Sequence, residues 1–115
     1  TTFICFSRKR NDKRTEFQLE MEQAITMANR EVMKAAKIPP VNQGAVLPLA
    51  VSVARLRAEY LKASIALGAS RGNELPVEAE LAELSKHRKA YEEGVSAFEA
   101  LMRAIERGYI ELEGE

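Results

Sequence analysis

Residues Ala45–Leu67 read AVLPLAVSVARLRAEYLKASIAL, and the fold turns on this stretch. No charge occurs in it before Arg55. Val46, Leu49, Val53, Leu56, Tyr60, Ala63 and Leu67 recur at alternating three and four residue steps, which places them on one face of a helix. Ala50, Ala54, Leu61 and Ile65 add a second apolar edge, so this helix is expected to be covered on more than one side. It reads as the central element of a helical domain.

On its N-terminal side, Pro48 falls early enough that its missing N–H costs little, and the spacing predicts a helix over about 46–68. Ile38–Gly44, IPPVNQG, has the length of a turn between antiparallel neighbours. Before it, Met21, Ile25, Ala28, Val32 and Ala35 form a seam, with Phe17 one turn earlier on the same side. Thr15 and Gln18 have capping-box spacing, and Pro39–Pro40 stop the run, which predicts a helix over about 15–37. Residues 1–14 are then expected as an extended, basic N-terminal arm. Its Arg8, Lys9, Arg10, Lys13 and Arg14 suit contact with phosphate or another anion, or simply a solvated helix entry.

On the C-terminal side, Gly68–Pro76 reads as a second connector, with Asn73 placed to cap the helix that follows. Val77, Leu81, Leu84, Arg88, Tyr91, Val95, Phe98, Met102, Ile105 and Tyr109 keep a four–three rhythm, predicting a long helix over about 74–109. Arg88 alone interrupts that seam. Either it is buried and fixes register by pairing with Glu59 or with a Glu of another subunit, or its stem lies along the seam with its head in water.

These elements predict an all-α fold for a single domain over 1–115. The arrangement expected is an antiparallel, up-down-up three-helix bundle with a long C-terminal helix. The start of the middle helix and the end of the last carry more apolar surface than three helices bury. Val46, Leu47, Leu49, Val51, Phe98, Leu101, Met102 and Ile105 are therefore candidates for a partner or oligomer interface, and dimerisation is expected to complete the bundle.

Composition bounds the function. The chain of 115 residues is 46% hydrophobic and 30% charged, as expected of an ordinary soluble domain and not of a disordered one. Its charge is uneven. Residues 1–73 hold twelve Lys/Arg and six Asp/Glu, whereas 74–115 hold five and eleven, so basic and acidic parts can pack together within a chain or between chains. One cysteine, Cys5, leaves no intrachain disulfide and suits a reducing compartment. No uncharged apolar run approaches the ~20 residues of a membrane span. TTFICFSRKR places its apolar part before its basic part, the reverse of a secretory signal, so a cytoplasmic protein without membrane contact is expected.

Chemistry is sparse. His87 is the single histidine, with Glu83 four residues before it; no Glu-x-x-His pair, nucleophile elbow or phosphate loop is present. No catalytic residue, cofactor, metal site or small-molecule substrate is therefore expected. The function expected is that of a small interaction, assembly or regulatory accessory protein, acting through an apolar helical surface on a copy of itself or on another protein. The alternative is a nucleic-acid-associated protein that uses residues 8–14.

Overall fold

The structure is a computed structural model that describes residues 2–70 and 72–114, with side-chain surroundings from Asp12 onward except at Ser70. Three helices are formed: α1 (Thr2–Ala35), α2 (Gln43–Ser70) and α3 (Glu78–Glu106). The fold is all-helical, apart from one isolated parallel bridge between Val41 and Leu112. Among the described residues, no helix is long and apolar enough to cross a membrane.

Helix α1 begins at Thr2, not near Thr15, so the arm expected to be extended belongs to the helix. The physical reason is the lack of a breaker: no Gly or Pro occurs before Pro39. Its end is a Schellman turn. Ile38 N–H donates to Met33 C=O (3.0 Å) and Lys37 N–H to Lys34 C=O (2.9 Å), with Lys37 left-handed at φ 62°.

Asn42 caps α2, its Oδ1 accepting the Ala45 N–H at 2.9 Å. The helix therefore starts before Val46, and Pro48 lies inside it. Glu80 Oε1 accepts the Val77 N–H at 3.2 Å, so α3 begins after Val77 rather than at Asn73.

Helices α2 and α3 pack antiparallel, and among the described residues they are the only helices that pack along their lengths. Every residue assigned to the principal face of α2 is half-buried or buried, Val53 most completely. On α3 the packed face is centred differently. His87, Gly94 and Leu101 turn inward beside Leu84, Tyr91, Phe98 and Ile105, while Arg88 and Met102 lie to one side. The reason is the pairing at Gly94: a Cβ there would stand 2.9 Å from Leu56 Cδ1, so the missing side chain lets the helices approach.

Three helices are present, but α1 does not lie against the α2·α3 hairpin. The molecule measures 72 × 43 × 20 Å, and its radius of gyration of 23.2 Å far exceeds the ~13 Å of a compact domain this size. The reason lies at the base of α1, in the tail that follows α3. Gly108, at φ 77°, closes α3 in a second Schellman turn, with Tyr109 N–H on Ala104 C=O (2.9 Å) and Gly108 N–H on Ile105 C=O (3.0 Å). The chain then runs back beside the α1–α2 connector. Val41 N–H donates to Glu111 C=O (2.9 Å), and Glu113 N–H donates to Val41 C=O (2.8 Å).

Arg30 of α1 donates from Nε to Gly108 C=O at 2.6 Å, at the negative end of α3. A cleft lined by Arg30, Met33, Lys34, Ile38, Tyr109 and Ile110 completes this hub. Arg30, Met33 and Lys34 lie opposite the Met21–Ile25–Ala28–Val32–Ala35 seam, counting ~100° per residue. The seam is consequently turned away from the hub, and Phe17, Met21, Ile25 and Val32 are exposed.

Candidate apolar interface

Apolar residues at the start of α2 and the end of α3 line one groove. Val46, Leu47 and Ala50 from one helix face Phe98, Met102 and Ile105 from the other, across an open groove of about 320 Å³. The tail adds Leu112, while Asn42 and Gln43 form its polar rim. Among the described residues, no ionisable side chain lines it. Asn42 is doubly used: beside capping α2 it donates from Nδ2 to Glu113 Oε2 at 2.7 Å, which ties the tail to this end of the groove.

Five of the eight sequence-predicted interface residues thus meet in one place. Leu49 and Leu101 are instead half-buried outside the groove lining. Val51 stands exposed on another side of α2, and it marks a feature the sequence analysis read only in part. Leu47, Val51, Ala54, Ala58, Leu61 and Ile65 follow four–three spacing along α2, and all are exposed. This stripe is roughly 145° around the helix from the α3 face, by ~100° per residue. Of the second apolar edge, Ala54, Leu61 and Ile65 lie on this stripe and are uncovered, Ile65 being 75% exposed, whereas Ala50 turns into the groove and is half-buried.

Arg88 does not meet Glu59 within the chain. Its guanidinium lies 3.8 Å from Glu92 on its own helix, more than half of its side chain is exposed, and Glu59 is exposed as well. The helical drift that brings His87 inward carries Arg88 to the flank. Across the α2·α3 contact, Arg57 donates from Nε to Tyr91 Oη at 3.3 Å with its guanidinium carbon 5.3 Å from the ring centroid. Tyr60 approaches the same ring with centroids 6.1 Å apart. Arg57 and Tyr60 were visible in the sequence; their convergence on Tyr91 depends on the antiparallel alignment.

His87 Nε2 lies 3.3 Å from Glu83 Oε1, a partly exposed pair one helical turn apart. Among the described residues, no three of His, Cys, Asp and Glu gather where they could hold a metal ion. Lys13 and Arg14 stand exposed beside Phe17 and Gln18 on α1, whereas the side chains of Arg8, Lys9 and Arg10 lie outside the described surroundings.

What these parts define is an extended all-α protein with a two-helix hairpin, a projecting helix and exposed apolar side chains on all three helices. Comparison with protein-family models, with curated proteins and with solved structures finds no match for the chain.

Proposed function

We propose that this protein is an interaction and assembly module that works by burying apolar helical surface, and that it self-associates as a homo-oligomer. The observation that carries this reading is the groove of Val46, Leu47, Ala50, Phe98, Met102, Ile105 and Leu112, open and without an ionisable lining group. Fully burying a side chain such as Leu or Met is worth ~1.5–3 kcal/mol, so a few of them suffice for a stable contact. Acid–base or nucleophilic chemistry has no comparable support, since the polar atoms at the groove are the amides of its rim.

Helix α1 supports the same reading from another direction. A helix of mixed composition held only at one end draws little stability from propensity, and most helices depend on packing of their apolar face. A partner that covers α1 supplies that packing.

Sedimentation velocity of the wild type beside Leu47→Glu and Met102→Glu tests the proposal. Leu47 is 53% and Met102 43% exposed, so neither charge is forced into an enclosed core. The wild type is expected above the 12.8 kDa protomer mass, with both variants smaller at unchanged helix content. A wild type and variants that all sediment as one protomer would refute self-association. A second reading, nucleic-acid association through Arg8, Lys9, Arg10, Lys13 and Arg14, draws on the exposure of Lys13 and Arg14 along α1. A salt titration with duplex and single-stranded DNA decides it; no binding at low salt eliminates it.

A further inference from the structure

We infer that the exposed stripe of α2 is covered by α1 of a second copy of this chain, the two copies exchanging α1 reciprocally about a two-fold axis. The inference rests on the self-association proposed above and specifies its geometry. Three observations carry it: matching spacing, complementary charge and the fixed base of α1.

Both stripes repeat in four–three steps and both are exposed over their length, so each has the form of one half of a helix–helix seam. Their flanks differ in sign. Glu20, Glu22 and Glu31 border the stripe of α1, whereas Arg55, Arg57 and Lys62 border that of α2. Pairing α1 with α1, or α2 with α2, sets like charges together; pairing α1 with α2 sets acid against base.

The charges also select direction and register. An antiparallel alignment that stacks Met21 on Ile65 and Ile25 on Leu61 brings Glu22 to Lys62 and Glu31 to Arg57. Antiparallel packing in this register therefore sets two acid–base pairs along the seam.

The base of α1 decides between its own α2 and a partner's. Arg30 on Gly108 C=O, with Met33 and Ile38 in the adjoining cleft, holds α1 by the face opposite its stripe. Folding α1 onto its own α2 requires that hub to open, whereas a second copy reaches the stripe with both hubs intact. Reciprocal exchange is isologous, so it closes at two copies. Each half of the dimer then has three packed helices, the third supplied by the partner.

The test uses the full chain with Cys5→Ser throughout. Ile25→Cys is placed in a tagged chain and Leu61→Cys in an untagged one, and the mixture is oxidised. A disulfide between tagged and untagged chains is expected, and a chain carrying both cysteines should give covalent dimer. Ile65→Glu should raise the dimer dissociation constant at least ~10-fold. Lys62→Glu should raise it ~5-fold, with recovery on adding Glu22→Lys.

A cross-link confined within single chains overturns the exchange in favour of closure on its own α2. Wild type that stays monomeric overturns it together with the self-association reading. A dimer that is lost with Met102→Glu, survives Ile65→Glu and gives no 25–61 cross-link overturns the exchange alone.

Discussion

Gly94 is the residue on which the α2·α3 contact depends, and nothing apolar in the sequence announces it. A seam is found by its large side chains, and at this point the seam is defined by a missing one. Met102 was consequently placed on the seam and is exposed, whereas Gly94, absent from it, is half-buried beside Val95. Substitution makes the role measurable. Gly94→Leu places a branched side chain where Leu56 Cδ1 already lies 2.9 Å from an added Cβ, and overpacking of this kind costs ~1–3 kcal/mol. Gly94→Ala is expected to stay near wild type, because ~1 kcal/mol of gained helix propensity is set against moving one flexible methyl. Urea unfolding of the two variants checks the contrast; equal midpoints would show that the close approach has no energetic weight.

Among the elements, α2 was the most legible. Its face from Val46 to Leu67 packs as the periodicity predicts, because α3 meets it along the full length. Helix α1 was less so. Its seam was recognised, but the assumption that a seam must find its own chain's neighbour placed it in a closed bundle. Its direction is set by Arg30 on Gly108 and by the Val41–Leu112 bridge, contacts between residues far apart in sequence that periodicity does not record. The tail itself escaped notice because Ile110 and Leu112 belong to no repeating pattern, although Ile110 is among the few buried residues. Glu113→Pro tests this hub. It removes the N–H donated to Val41 C=O at 2.8 Å and the carboxylate that accepts from Asn42. Loss of two such bonds should lower stability by ~1–2 kcal/mol, read as a fall in melting temperature. An unchanged melting temperature would mean that the tail does not hold the base of α1.

For the whole molecule, the central feature is how little of it is enclosed. Among the described residues only Val41, Val53 and Ile110 are buried, while large apolar side chains stand exposed on all three helices. A protein of ordinary hydrophobic content that encloses so few of these residues leaves apolar surface to cover, and under the proposal above the cover is a second copy. Amide hydrogen exchange over a range of chain concentrations tests this most directly. The account predicts protection of residues 21–35 and 47–65 at high concentration, and joint loss of the protection at 21–35 and on the outer face of α2 as the dimer is diluted apart. Protection of α1 that is independent of concentration, or absent at every concentration, would contradict it.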